Sequence, residues 1–501
     1  MVILALAAAA APDQSPLNAT DYTIVGLYLL GMLALGAVVS TRIHGFKDYF
    51  LAGGALTTPL LVCSLVSSYY GIDVTFGTSE AGFYNGVVAW FWYSLPYYFF
   101  IVMAALVIAP RLRRYGDAMT LSDVLEHHYG TKTRVVGAVA SFIYSAPVLA
   151  MAGMMTLMSF IGIPTTWGVL ATIAICAAYT IMGGLWADSI SDTVQFVLMC
   201  VSLAIALPLA VEWVGGWEFV EHLPANPGGG DSLHMMHHGG LSIWMRVAWA
   251  LTGLTLLTEP AFYQRVFAAQ DAKSVQRALL IGIGLWAAFD WGATLMGLIG
   301  RSAVEQGLIP SDVLGKEALL TVCMEMLPTG LRGLMIGGIL AAAMSQIDSY
   351  SLLASGNLVY DIYRPLFDPN ASDRRLLTLT RLGVFAVMFA SALFSLLFDR
   401  MRDTWQFMAS VMASAVFVPV MGALFAKPRA AAGFWGAVAG LGGLTAFYAL
   451  LFTQGRFDAD AETYVWRIDG VELWQDYAVL CALPISLLGY SLGNLFGEDE
   501  R

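Results

Sequence analysis

The chain has 501 residues, 58% of them hydrophobic and 12% charged, with a formal net charge of −11. A soluble chain of this length carries about twice that charged share, and a transmembrane β-barrel reads as alternating segments of about ten residues rather than continuous apolar runs. An all-α, polytopic membrane protein remains, and the modest negative charge, mostly in loops, points to no nucleic-acid partner.

Met1–Ala11, MVILALAAAAA, has a short apolar core and an A-x-A-like end but no basic start. Residues 1–20 therefore read either as an exported tail or as a weak signal peptide. Asn18-Ala19-Thr20 fits a glycosylation triplet, which matters only in a secretory host. Hydropathy then predicts about thirteen spans. The first, 21–41, is followed by a loop to 57. Five more lie at 58–84, 86–109, 134–162, 166–183 and 189–214. The Gly- and Pro-punctuated loop around ANPGGGD (225–231) separates them from spans at 241–258, 278–300, 331–360, 376–398 and 404–426, and two follow at 432–453 and 474–495. No segment is left for a soluble domain. The five cysteines (Cys63, Cys176, Cys200, Cys323 and Cys481) sit in or beside apolar segments without a CxxC pair, so neither a metal site nor a disulfide framework is indicated. In HMMHH (234–238), His234, His237 and His238 have nitrogens spaced to share a helical face, but the Gly-rich surroundings and the missing fourth ligand favour a solvated loop over zinc. The methionines of MAGMMTLM (151–158) read as packing material.

With the N-terminus outside, seventeen of the 25 Lys and Arg fall in inside loops, among them Arg111, Arg113, Arg114, Arg134, Arg265, Lys273 and Arg374, and the odd span count puts the C-terminus inside. Two spans carry helix-weakening residues. The second contains SSYYGIDVTFGTSEAGFYNG (67–86), with Gly71, Gly77 and Gly82; the seventh contains WALTGLTLLTEP (249–260), with Gly253 and Pro260. They lie five spans apart and so run in opposite directions. Interrupted segments at matching places in two inverted halves point to a transporter site near the midplane, because an interruption frees carbonyls for a cation and N–H groups for an anion. Glycines that merely allow close helix packing are the alternative.

The ninth span poses a further question. AAAMSQIDSYSLLASG (341–356) holds Gln346 and Asp348 inside an apolar run. An ionisable residue at the bilayer centre costs about 2.5–3.5 kcal/mol even on lenient insertion scales, so it should face a cavity, a partner or an ion. Helical geometry puts Ala342, Ser345, Gln346 and Ser349 on one face with Asp348 adjacent, an oxygen-rich stripe suited to a hard monovalent cation.

Five stretches carry a resemblance: DYFLAGG (48–54), TLSDVLEHHYG (120–130), GGLWADSISDTVQ (183–195), QRVFAAQDAKSVQRA (264–278) and AAAMSQIDSYSLLASGNLVYDIY (341–363). In this order, from Asp21 to about Phe425, the chain resembles the sodium:solute symporter family. The resemblance implies a LeuT-type core of two inverted five-helix repeats (58–240 and 241–426), with one extra helix before it (21–57) and two after it (427–501). It also implies secondary transport of a small organic solute across the inner or plasma membrane, driven by Na⁺ with no other cofactor. The family's main sodium site maps to the main chain at Ser67 and Tyr70 and to Ala342, Ser345 and Gln346. Gln346 departs from the Ser or Thr typical there, which leaves a proton-coupled or uncoupled variant open. Asp192 matches the acid on the inward ion path, and with Asp348 and Ser349 it maps to a second ion site or release path; the two carboxylates could equally share a proton. The positions of the sugar-binding residues of relatives correspond to Val74, Tyr93, Glu259 and Trp286, which do not read as a sugar site. Asp73, Glu259 and Asp290 with the rings of Tyr69, Tyr93 and Trp286 suit an amine or zwitterion through ion pairing and cation–π contact; acids paired with Arg246 or placed at helix ends are the alternative. A transporter-like solute sensor acting through a partner and a membrane enzyme using the histidine loop are the competing classes. The oligomeric state is not legible.

Overall fold

A backbone that must satisfy its own hydrogen bonds in lipid has the α-helix as its main solution, and helices make up most of the chain. The structure, a computed structural model, describes residues 17–39, 43–226, 231–396, 401–458, 463–468 and 471–496, without the side chains of Asp73 and residues 401–403. The tail or signal segment at Met1–Ala11 lies outside these residues.

Helix α1 (Ala19–Val39) precedes a short α2 (Phe46–Leu51). The second predicted span is two helices, α3 (Thr58–Tyr69) and α4 (Ile72–Asn85), bent by 50° at the break. Then come α5 (Trp90–Leu112), the short α6 (Leu121–Tyr129) and α7 (Thr131–Phe160), which breaks at Ala146 and Pro147. Helix α8 (Thr165–Trp213) covers the predicted fifth and sixth spans in one run, divided at Gly184. There φ is +51°, and a Cβ would lie 2.2 Å from the Tyr49 carbonyl, so glycine alone allows both the turn and the approach of α2. Helices α9 (Ile243–Thr252), α10 (Pro260–Ala268), α11 (Ala272–Glu305), α12 (Gly315–Met326), α13 (Leu331–Gly356), α14 (Asp373–Ser395), α15 (Thr404–Phe425) and α16 (Ala430–Gln454) follow, and α17 (Ala478–Phe496) is last.

Between α16 and α17 the structure departs from an all-helical reading. Strands β1 (Arg456–Asp458), β2 (Thr463–Ile468) and β3 (Val471–Trp474) form a small antiparallel sheet, with Phe457 opposite Tyr464 and Trp466 opposite Leu473. The turn after it docks on the bundle: Trp249 Nε1 donates to Asp476 Oδ1 at 3.0 Å, and Ser242 and Tyr477 share a hydroxyl contact of 3.1 Å.

Among the described residues, nine helices are long and apolar enough to cross a membrane, ten with the bent α3–α4 pair. Helix α13 is not one of them, yet every residue from Met335 to Gly356 is buried. Its polar residues therefore face protein and not lipid. Both ends of this helical run are held by other elements. At its start Gly330 has no capping side chain, and Asp21 of α1 substitutes: Oδ1 accepts the N–H groups of Gly330 at 2.7 Å and Gly333 at 2.8 Å. Beyond its other end, Asp361 accepts from Arg134 at 2.9 Å and Thr120 at 2.8 Å, and Arg134 also pairs with Asp123 at 2.9 Å. Burial pushes the Asp123 carboxyl above its usual range, against the opposing pull of Arg134.

Replacing Asp21 with Ala orphans the buried Gly333 N–H and the half-buried Gly330 N–H and should cost about 1–2 kcal/mol. The thermal unfolding midpoint in detergent is expected to fall, and Asp21→Asn, which keeps an acceptor, to retain most of it.

Candidate functional site

Helix α3 stops because Tyr70 (φ −100°, ψ 51°) and Gly71 (ψ −179°) leave helical geometry. Its last carbonyls then lose their in-helix donors, and the first N–H groups of α4 lose their acceptors. The second interruption is also present. Helix α9 tightens into a 3₁₀ turn at Gly253–Thr258, Glu259 is extended, and Pro260 starts α10 with the fixed φ that suits a first helical position. This broken segment runs to Ala268, beyond the predicted limit of 258.

Where α3 crosses α13, two hydroxyl relays lie on successive turns. In the first, Ser67 Oγ donates to Ser345 Oγ at 2.8 Å, and Ser345 Oγ donates to Asp192 Oδ1 of α8 at 2.5 Å. All three residues are buried. Ala342 is one turn away on α13 and Tyr70 is at the break, its ring 5.1 Å from that of Phe289. Of the sequence-predicted ion ligands, Ser67 and Ser345 are in direct contact here, and Tyr70 and Ala342 are buried on the same two elements. In the second relay, Ser68 and Ser349 share a hydroxyl contact at 2.9 Å, and Ser349 Oγ donates to both oxygens of Asp188, at 2.9 and 2.8 Å.

Arg265 closes this second layer. Its Nη2 reaches Ser349 Oγ at 2.7 Å, Asp188 Oδ2 at 3.0 Å and Ser68 Oγ at 3.2 Å, and Nη1 donates to Gln264 Oε1 at 2.8 Å. Both side chains of the Arg265–Asp188 pair are 0% exposed. This pair was missed from sequence. The sequence reads Arg265 as a basic residue of an inside loop, whereas it sits buried in α10. The available signal was Asp188, one helical turn before Asp192 on the same face. Asp348, Asp192 and Ser349, grouped from sequence as a second ion site or release path, find three different partners: Asp192 takes Ser345, Ser349 takes Asp188, and Asp348 Oδ1 accepts from Thr180 Oγ1 at 3.0 Å.

Beside the crossing lies a cavity of about 670 Å³, open solvent at its mouth included. Tyr69, Val74, Tyr93, Glu259, Trp286 and Asp290, all predicted as solute contacts, line it together with Gln346. The Asp73 side chain is outside the described residues. Glu259 Oε1 accepts from Tyr350 Oη at 2.5 Å, and Asp290 Oδ2 accepts from Tyr98 Oη. Tyr69 and Trp286 rings are 5.6 Å apart, and Tyr93 and Trp405 5.1 Å. No Arg, Lys or His is among the described lining residues. Arg246, the basic residue considered as a partner for these acids, lies over the Trp92 ring at 5.1 Å. Val74, Tyr93 and Trp405 also line a second pocket that includes Trp249 and Asp476. The histidine loop packs instead of gathering ligands: the His234 carbonyl accepts the Val87 N–H at 2.8 Å, and among the described residues no cluster of His, Cys, Asp or Glu could hold a metal.

A multi-pass helical bundle with two interrupted segments around a buried polar crossing and a central cavity is the architecture of a membrane transporter and not of an enzyme. The sodium:solute symporter family model matches residues 49–440, and the chain belongs to that family. It is 26% identical to the osmoregulated proline transporter OpuE of Bacillus subtilis, over 79% of this chain and 82% of that one. It is 22% identical to the sodium/pantothenate symporter of Haemophilus influenzae, over 94% of each, and 25% identical to the sodium/myo-inositol cotransporter 2 of Bos taurus, over 88% of this chain and 72% of the relative. Among solved structures, a Na⁺-coupled sialic acid symporter in a substrate-bound outward-open state shares the fold: TM-score 0.77 at 16% identity, covering 97% of this chain and 99% of that chain.

Removing one partner of a buried ion pair costs about 3–5 kcal/mol. Asp188→Asn should therefore cut the yield of monodisperse protein in detergent and lower its thermal midpoint sharply. The double variant Asp188→Asn/Arg265→Gln is expected to recover much of both.

Proposed function

We propose that the protein couples movement of a small amine or zwitterion across the plasma membrane to Na⁺ by alternating access. The observation that carries this reading is the Ser67–Ser345–Asp192 contact at the broken end of α3, where side-chain oxygens converge beside carbonyls released from the helix. Na⁺ would sit there, with the Ser67 and Tyr70 main chain on one wall and Ala342, Ser345 and the main chain of Gln346 on the other. Asp192, which accepts from Ser345, would handle a second cation or the ion's release. A 100 mV potential supplies about 2.3 kcal/mol per charge moved, roughly fiftyfold accumulation with one ion.

The solute would occupy the cavity of Glu259 and Asp290. Two carboxylates with aromatic walls and no basic residue among the described lining favour a cationic nitrogen, with cation–π contact adding about 0.5–2 kcal/mol. Thirteen spans, ten in a five-plus-five inverted core with one before it and two after it, fit the nine apolar helices, the broken α3–α4, the division of α8, the interrupted α9–α10 and the buried α13. The basic-residue bias puts the N-terminus outside and the C-terminus in the cytoplasm.

Proteoliposome uptake of radiolabelled methylammonium, L-proline and myo-inositol, with and without an inward Na⁺ gradient, tests the reading. Gradient-driven accumulation of an amine or of proline is expected; Na⁺-driven uptake of myo-inositol alone would end the solute assignment. Ser345→Ala should raise the Na⁺ concentration needed for half-maximal uptake at least tenfold, and an unchanged Na⁺ response would remove the ion site. Asp192→Asn should lower kcat more than it raises KM.

A further inference from the structure

We propose that the Gln346 side-chain amide is a solute contact and not an ion ligand, and that with Glu259 and Asp290 it forms the polar half of a site for a small ammonium-bearing solute. This rests on the reading of the cavity as the solute site. Gln346 follows Ser345, and consecutive residues on a helix point about 100° apart. Ser345 turns to Ser67 and Asp192. Gln346 turns to the cavity, and it also lines a smaller side pocket with Tyr144, Pro147 and Met408. Tyr350, four residues on, lines both pockets on the same helix face and hydrogen-bonds Glu259. Amide, phenol and carboxylate therefore make one wall.

The amide oxygen is left unmatched by the protein. Gln346 is 7% exposed, and its Oε1 is buried without a hydrogen-bond partner. A buried acceptor in that state, aimed into a cavity, is what a ligand N–H satisfies. The Glu259 and Asp290 carboxylates beside it set the charge of that ligand. Position 346 then joins the ion site through its backbone while its side chain leaves for the solute. Ion and solute hold successive residues of α13, so each orders the backbone that the other needs, which is a coupling free energy between sites.

Thiol labelling tests this without knowledge of the natural solute. Full-length Gln346→Cys in proteoliposomes is treated with cationic 2-aminoethyl methanethiosulfonate or anionic 2-sulfonatoethyl methanethiosulfonate, and wild-type protein with its own five cysteines gives the background. Labelling above background is expected, at least tenfold faster with the cationic reagent. In parallel, Na⁺ is titrated against the fluorescence of the cavity tryptophans Trp286 and Trp405. Gln346→Ala should leave the Na⁺ midpoint within about threefold of wild type, and Ser345→Ala should raise it at least tenfold. No labelling, labelling without charge preference, or a tenfold Na⁺ shift in Gln346→Ala overturns the proposal while Na⁺ coupling stands. Charge-selective labelling in a wild-type background whose fluorescence ignores Na⁺ overturns the coupling and leaves the solute contact standing.

Discussion

Buried polar groups must find partners, and the crossing of α3 over α13 is where this chain concentrates them. Ser67, Ser345 and Asp192 meet on one turn, and Ser68, Ser349, Asp188 and Arg265 on the next. Neither layer is stable in hydrocarbon alone: the carboxylates need donors, the guanidinium needs acceptors, and the break in α3 needs something to satisfy its carbonyls. The surrounding helices bring these needs together, which explains why α13 is buried along its whole length after Met335.

Much of this arrangement is legible in the sequence. The two interruptions follow from Gly71 and from Gly253 with Pro260, residues whose backbone preferences act locally. The meeting of Ser67 with Ser345 followed from family motifs combined with helical spacing, and Val74, Tyr93, Glu259, Trp286 and Asp290 do share one cavity. What was not legible depends on long-range pairing. Arg265 looks like a loop cation because its helix, Pro260–Ala268, is short and partly polar; only the fold places Asp188 against it. Asp348 next to Ser349 suggested a shared site, but neighbouring residues on a helix point apart, and Asp348 meets Thr180. The small sheet was overlooked although its sequence carries a hairpin signal, Asp469-Gly470 between two alternating segments.

Hydropathy finds a span at 331–360 but cannot say what surrounds it, for a physical reason. It measures transfer to lipid, and a helix enclosed by other helices never makes that transfer. Helix α1 is apolar and buried along one face only, while α13 carries Ser345, Gln346, Asp348, Ser349 and Ser351 and is enclosed. A central element of the site is therefore less apolar than the helices that face lipid.

The Asp21 contact has a consequence for biogenesis. This carboxylate belongs to the first described helix, and the N–H groups that it accepts lie 309 and 312 residues further along the chain. Ser67 waits 278 residues for Ser345. During synthesis the early helices must therefore rest in the bilayer with these groups unmatched, or hydrated by transient water, until α13 emerges from the ribosome. Assembly of the bundle is then a late event, and a nascent chain halted before residue 330 would contain most of the spans, with Ser67, Asp192, Arg265 and Glu259, while lacking Ser345, Gln346, Ser349 and Tyr350, the α13 wall of the site.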